Sequence, residues 1–419
     1  LNMFDSKYNR DQVYFNLFRP ESRNNWKGNL KRYGLSVEDS ETIYAIDVFG
    51  KPAVDSATDF FFTSGIRSWW STTNDNASVT SGGAAEQLNI RSYAQPNRQF
   101  YTNISPGDLT SSANQLAVGN SNITADMLNV TAAQRPNMIN DVLGYNYEAN
   151  TFRDYQMRDP LHSNVGIVTY ACLNGTRENC TEDDQIALVA TNSGVIHAFN
   201  TANGKEIFAF MPKELFPKVV DEVNNASIAT TTPKTYGMDG QITIWANDLN
   251  GNGVIYGGVS NDGTWTGSGL NSIAYNSTNV NEHVYAYFSM GRGGRNIYAM
   301  DITSSSSPKL LWQIEGGVTS GFERLGQTWS APTHARVMHR GSVIDVLVFG
   351  GGYDPNQEDP DDPNVENKSY SYKTATMGNA LYMVNARTGD LIWSTSNNMS
   401  YSYPGTVTLW ENGEQGAYY

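Results

Sequence analysis

The chain has 419 residues, with 42 acidic against 28 basic side chains and a net charge of −14, a balance that argues against a nucleic-acid partner and permits cation binding. No apolar run reaches the roughly 18 residues of a membrane-spanning helix. High Tyr, Trp, Gly, Asn and Thr with few helix formers reads as all-β, and 419 residues can bury one large core.

In chain order, VYFNLFRPESRNNWKGNLKRYGL at 13–35 opens the chain, with Gly28 expected at a tight turn before a strand. TIYAIDVFGKPAV follows at 42–54. Residues 71–131 are rich in Ser, Thr, Asn, Gly and Gln and read as a polar insertion, a long loop that covers a face or stays mobile. RDPLHSNVGIVTY at 158–170 leads into ACLNGTRENC, where Cys172 and Cys180 flank seven residues. That loop suits a disulfide and a secreted protein, the alternative being two free thiols. GVIHAFNTANGKEIFAF at 194–210 precedes a short helix expected within 211–223.

NDLNGNGVIYGG at 247–258 puts Asp248, Asn250 and Asn252 at positions one, three and five, with Gly253 at six. That is the opening of an EF-hand-like calcium loop, to which the Val254 carbonyl adds a fourth oxygen. No acidic residue completes the shell, and an Asn-Gly turn between two strands is the competing reading. NEHVYAYFSMGRGGRNIYAMDIT at 281–303 holds a Gly-rich hairpin loop, where Gly291, Gly293 and Gly294 allow positive φ. NIYAMDITSSSSPKLLWQI at 296–314, LGQTWSAPTHARV at 325–337 and DVLVFGGGYD at 345–354 come next. The acidic run 354–364 carries three prolines and reads as a solvated loop. NALYMVNARTGDLIWS at 379–394 is the last clear element.

The stretches at 42–54, 194–210, 296–314 and 379–394 repeat one pattern: a strand, an Asp or Asn, then a polar turn. In the last three a second strand follows. One hairpin cannot bury its own apolar face, so repeated hairpins pack on each other. The Asp/Asn positions (Asp47, Asn200, Asp301, Asn385) are 153, 101 and 84 residues apart. With blades of about 40–50 residues, the last two gaps suit two blades each. The first gap must hold an insertion. The expectation is a single β-propeller domain over 1–419, with quinoprotein-like blades and the 71–131 insertion inside it. A β-sandwich is the alternative.

The motifs at 13–35, 158–170, 281–303, 325–337 and 345–354, in this order and interleaved with the blade repeats, resemble the C-terminal domain of the PilY/PilC family, large adhesins associated with type IV pili. The resemblance implies a modified seven-bladed propeller, a secreted protein at the pilus tip or cell surface, and a role in pilus biogenesis, adhesion and twitching motility. It also implies minor pilins as neighbours, with calcium bound in some members. The chain reads as a fragment of a longer protein, and no Arg-Gly-Asp string is present.

The five histidines (His162, His197, His283, His334, His339) show no shared metal spacing. His334 and His339 are five apart, which on a strand places them on opposite faces. No catalytic set stands out, so the expectation is a non-enzymatic module. A quinone-dependent dehydrogenase is the runner-up; its family typically carries an adjacent Cys-Cys pair, whereas these cysteines are eight positions apart. A secreted carbohydrate-binding propeller is the third reading, with Trp69, Trp70, Trp265 and Trp329 as candidates to line a sugar face against the plainer role of core and hairpin packing.

Overall fold

A computed structural model describes residues 12–37, 43–55, 60–61, 64–90, 98–146, 151–152, 155–173, 183–229, 232–249, 253–255, 282–356, 374–395 and 399–409. Strands β1 (Gln12–Arg19) and β2 (Lys27–Val37) pair antiparallel, and β3 (Ile43–Ile46) adds to β2. Gly28 is not at a turn. It lies inside β2 opposite Phe18, and a methyl group there would sit 2.1 Å from the Arg158 carbonyl oxygen. The residue is glycine because another backbone crosses it. β4 (Val54–Asp55) and β5 (Phe60–Phe61) form a short ribbon.

The polar stretch at 71–131 is built into the molecule. It contains helix α1 (Gly83–Ile90), β6 (Phe100–Tyr101) and β7 (Gly107–Asp108), and is followed by α2 (Arg135–Val142) and the pair β8 (Tyr145–Asn146) and β9 (Thr151–Phe152). Phe100, Leu109 and Ile123 are fully buried in the main apolar cluster. Its polar side chains serve the irregular backbone. Buried Asn114 bonds Ser105 N, Ser105 O and Asp108 O, and Asn120 donates to the Ala113 and Gln115 carbonyls. Arg135 donates to the carbonyls of Ile123, Val118 and Asn120. Backbone groups away from regular ladders need such partners.

Three sheets then repeat. β10 (Val165–Cys172), β11 (Asp183–Ala190), β12 (Ile196–Asn200) and β13 (Glu206–Phe210) form the first. A 3₁₀ turn at Lys213–Lys218 and α3 (Val219–Asn224) fill the expected helical segment. β14 (Ile242–Asn247), β15 (His283–Ser289), β16 (Ile297–Asp301) and β17 (Lys309–Ile314) form the second. β18 (Thr333–His339), β19 (Ser342–Gly350), β20 (Leu381–Asn385) and β21 (Leu391–Ser394) form the third. Each is an antiparallel meander in chain order. β6 extends the first sheet beside β13, and β7 extends the second beside β17. In the third sheet, β21 is the edge.

The repeat extends to single residues. Between third and fourth strands each sheet has the same bulge, placing Phe208, Trp312 and Trp393 opposite Ala198, Ala299 and Met383. The third strands IHAFN and IYAMD are buried on both faces, as sheets covered from two sides require. The core between the second and third sheets joins Tyr287, Ala299 and Trp312 to Leu347, Phe349 and Tyr382. Full burial of each such side chain contributes about 1.5–3 kcal/mol.

The starts of the first strands also lie side by side. Asn164, ahead of β10, exchanges two hydrogen bonds with the Ile242 backbone. Thr243 of β14 donates to the Pro332 carbonyl, and Thr333 of β18 donates to the Val407 carbonyl. The molecule is therefore mostly β, a row of blade-like sheets whose first strands adjoin.

The recurring Asp/Asn of each repeat has one local job. Asp47, Asn200, Asp301 and Asn385 each accept the N–H two residues on, from Phe49, Ala202, Thr303 and Arg387. This side-chain turn is what Asx residues favour. The Gly-rich loop GRGGRN does join β15 to β16, but only Gly291 has a left-handed φ, of +52°. Gly293 is required by close approach, since a methyl there would lie 1.7 Å from the Gly237 oxygen.

Candidate functional site

The hairpin ends β1–β2, β11–β12 and β15–β16, with the segments leading into β10, β14 and β18, bring a set of polar and aromatic residues together. At its buried base, Asp159 accepts from Lys234 Nζ at 2.9 Å and Asn192 Nδ2 at 2.6 Å. Lys234 also donates to the Asn24 carbonyl at 3.0 Å. Burial pushes the Asp159 carboxyl up to about 6, against the pull of Lys234 and Asn192. Nearby, Arg158 pairs with Glu222 at 3.2 Å.

Above this base, rings and cations alternate. Lys234 lies 4.7 Å from the Trp26 ring and 5.7 Å from Tyr236. The Arg292 guanidinium is 5.0 Å from Tyr236 and 6.0 Å from Trp329. His162 meets Trp329 edge-on at 5.0 Å, and its Nδ1 lies 2.7 Å from Asp239 Oδ2. Burial raises the Asp239 carboxyl, with His162 opposing. Arg292 is exposed and pairs with no carboxylate among the described residues. Stacked guanidinium and ring faces of this kind recognise planar or anionic groups.

A second cluster joins the segment before β6 to the first sheet. Arg98 binds Glu206 through Nε and Nη2, both at 2.8 Å, and Glu206 Oε1 lies 2.7 Å from His197 Nδ1. Arg98 and His197 line a narrow cleft with Asp141, Gln156, Ser193 and Glu222. The Gln156 amide has no protein partner there, and the cleft has room for about a single water.

The histidines read from the sequence fall into separate places. His197 belongs to the Arg98–Glu206 cluster and His162 to the aromatic strip. His283 meets the Trp245 ring edge-on and His334 stacks on it, each at 4.3 Å. His334 Nε2 is 3.1 Å from Asp345, and burial lowers its pKa despite that carboxylate. His339 is the last residue of the same strand, β18.

Asp248 follows β14, and its Oδ2 accepts the Gly253 N–H at 2.7 Å, with Gly253 at φ +79°. One carboxylate oxygen thus closes the loop. Val254 is buried behind it. Asn250 and Asn252 lie outside the described residues, as do Cys180 and Trp265. Among the described residues no three His, Cys, Asp or Glu converge as a metal set, and none of the described cysteines is a free thiol. Of the acidic run, Asp354 is buried and accepts from the N–H groups of Asn356, Thr376 and Met377. Burial works to raise its pKa, but these donors hold it below the usual range. Its carboxylate thereby ties residue 354 to the backbone at 356 and 376–377.

Trp69 and Trp70 pack inside, on the cluster containing Leu30, Leu88 and Phe199. Only Trp329 of the four candidates is seen on the aromatic strip. The sequence reading missed Trp26, Lys234, Tyr236 and Arg292, which come from three separate loops. Two of these loops set a basic residue close to an aromatic one, Lys27 beside Trp26 and Lys234 near Tyr236, whereas the loop of Arg292 holds no aromatic residue.

No family model matches the chain. It is similar to the type IV pilus biogenesis factor PilY1 of Pseudomonas aeruginosa (strain UCBPP-PA14), 30% identical over 176 residues, which is 41% of this chain and 12% of that protein. The PilY1 homolog of Xylella fastidiosa (strain Temecula1) is 28% identical over 179 residues, 41% of this chain and 11% of that protein. The match thus spans a small part of either relative's length. Among solved structures, the Pseudomonas aeruginosa PilY1 C-terminal domain aligns over 56% of this chain and 35% of its own, with 20% identity and a TM-score of 0.32. A quinohemoprotein alcohol dehydrogenase from Pseudomonas putida HK5 aligns over 52% and 26%, with 13% identity and a TM-score of 0.23. The chain resembles the PilY1 C-terminal domain, as its motifs led one to expect.

Proposed function

We propose that this chain is a non-enzymatic propeller module of a type IV pilus-associated surface protein, acting in pilus biogenesis, adhesion and twitching motility. The observation that carries it is the 30% identity to PilY1 over 176 residues. The repeated sheets, with first strands side by side, fit a propeller of the modified seven-bladed kind. The protein acts outside the cell, at the pilus tip or surface, with minor pilins as neighbours. In-frame deletion of the coding region in its own bacterium should reduce surface pili, counted by electron microscopy, and shrink the twitching zone. Wild-type values for both would overturn the reading. Purified native protein should show no quinone absorption and reduce no dye on adding an alcohol.

Two chemical details belong to the same proposal. Cys172 pairs with Cys180, so intact mass should rise by two hydrogens on reduction. Calcium binds at the loop of Asp248, Asn250, Asn252 and Val254, all oxygen donors, which favour calcium over zinc. Its affinity is low, because the loop has one carboxylate and Gly253 already engages Oδ2. Thermal stability should rise with calcium over chelator, as binding to the folded state requires. Asp248→Ala should abolish that difference. Equal melting with calcium and chelator in the unaltered protein refutes the site.

A further inference from the structure

The strip of rings and cations holds two basic groups, and only one of them meets a carboxylate. Lys234, 4.7 Å from the Trp26 ring and 5.7 Å from Tyr236, is buried and bonds Asp159 at 2.9 Å. Arg292, over Tyr236 at 5.0 Å and Trp329 at 6.0 Å, is exposed and meets no carboxylate among the described residues. Its Nη1 donates to the Tyr236 hydroxyl at 3.3 Å, and its other side-chain N–H groups have no acceptor among the described residues. That is unexpected in a chain with 42 acidic side chains against 28 basic ones. Arg98, Arg158 and Arg336 each sit on a carboxylate, at 2.8, 3.2 and 3.3 Å.

The loops under Arg292 are tied to one another. Lys218 Nζ donates to the carbonyls of Tyr236 and Gly293, both at 2.6 Å. The Gly291 N–H donates to the Thr328 carbonyl at 3.0 Å, and the Asp239 N–H to the Met290 carbonyl at 3.2 Å. Tyr236, Arg292 and Trp329 therefore stand on one stitched backbone. Stacking holds the guanidinium and leaves its edge to solvent. That edge suits a carboxylate, which it binds through two parallel hydrogen bonds. A site held in place beforehand loses little freedom on binding.

Around that edge lie rings and neutral hydrogen-bonding groups. Tyr236 and Trp329 are half-buried and keep ring surface in solvent. His162 engages Asp239 through Nδ1 at 2.7 Å, which leaves Nε2. Gln327 reaches the Arg292 carbonyl through Nε2 at 3.4 Å, which leaves its amide oxygen. A sugar acid matches each part. Its carboxylate suits the guanidinium, its C–H face suits the rings, and its hydroxyls suit His162, Gln327 and the Tyr236 hydroxyl. An acidic peptide matches the guanidinium alone.

We propose that Arg292, Tyr236 and Trp329, with His162 and Gln327, form a binding site for the uronic-acid units of an acidic polysaccharide.

Isothermal titration of the purified protein with an oligogalacturonate and with its methyl ester tests this. The acid should bind. The ester keeps the sugar rings but removes the charge, and should bind about tenfold more weakly or worse, the worth of hydrogen bonds to a charged group. No binding of the acid, or equal binding of acid and ester, overturns the proposal. Arg292→Gln should weaken binding of the acid by a similar factor at an unchanged melting temperature, since the side chain is exposed. Full affinity in that variant places the sugar elsewhere and overturns the assignment. Polyglutamate is the last arm. If it binds as tightly as the oligogalacturonate and is lost in Arg292→Gln, the sugar reading falls and the site belongs to an acidic protein.

Discussion

The three repeated sheets and the stretch from 64 to 146 both feed the core, by opposite means. The sheets do it with regular ladders and apolar third strands such as IYAMD. The stretch has two-residue strands and two eight-residue helices, and it satisfies its backbone through side chains such as Asn114, Asn120 and Arg135. It is nonetheless wedged into the sheets: β6 and β7 extend two of them, and Phe100 shares a core with Phe208. A polar composition therefore marks an irregular backbone here, not an absent core.

The largest test of that comparison is to open a cavity on each side. Phe100→Ala and Phe208→Ala should each cost about 3–5 kcal/mol, since both side chains are essentially fully buried. Denaturant unfolding followed by tryptophan fluorescence and by circular dichroism should give one shared transition for both variants. If Phe100→Ala melts a minor early phase and leaves the main transition in place, the stretch is a separate, loosely attached unit.

The seam between the two regions comes next. Arg98 comes from the stretch and Glu206 from β13, with side chains 8% and 1% exposed. Arg98→Met keeps most of the packing on Phe100, 4.6 Å from the guanidinium, but takes the guanidinium away from the buried Glu206 carboxylate. A loss of about 3 kcal/mol is expected. Arg98→Met with Glu206→Gln together should recover part of it; no recovery would mean that the packing, not the charge pair, carries the seam.

These pairings mark where the sequence stops being readable. The blades were legible because Asp47, Asn200, Asp301 and Asn385 each repeat one local hydrogen bond, and a local bond leaves a local pattern. Strand-like residues flank each turn with period two. The stretch was not legible because its contacts are long-range. Nothing near Lys31 announces Asp75, its buried partner 44 positions away, and nothing near Trp26 announces Lys234. Gly28 looked like a turn for the same reason: its cause is the backbone at Arg158. The candidate site shared that fate, being assembled from loops that only the fold brings together.

A pH measurement probes the buried base of that site. The Asp159 carboxyl is raised to about 6 by burial, above its ordinary value near 4. A group raised in the folded state binds its proton more tightly there. Its contribution is fully present below the unfolded value and is lost as pH rises through 6. The loss is about 2 kcal/mol between pH 4 and pH 7. Asp159→Asn should flatten that part of the profile, at lower stability throughout, because the amide oxygen accepts from only one of Asn192 and Lys234. Parallel profiles for the two proteins would show that Asp159 is ionised throughout in its pair with Lys234.

The finest comparison sets two tryptophan joints side by side. Trp70 donates to the Thr201 carbonyl and fastens the irregular stretch to the first sheet; Trp312 donates to the Ala386 carbonyl and fastens the second sheet to the third. If the stretch is held as firmly as a sheet, removing the same indole N–H from each should cost the same. Trp70→Phe and Trp312→Phe leave an aromatic ring over Gly204 and Gly389. Each accepting carbonyl also keeps a second donor, Arg32 at Thr201 and Tyr287 at Ala386. No carbonyl is stranded, so each loss stays near the net value of one hydrogen bond plus a small packing defect, about 1 kcal/mol. Equilibrium unfolding of the two variants and of their double variant should give additive effects, because the joints share no partner. A much smaller loss at Trp70 would break the equivalence. It would mean that the stretch yields around the missing indole where the sheets do not, and that its burial is not matched by rigidity.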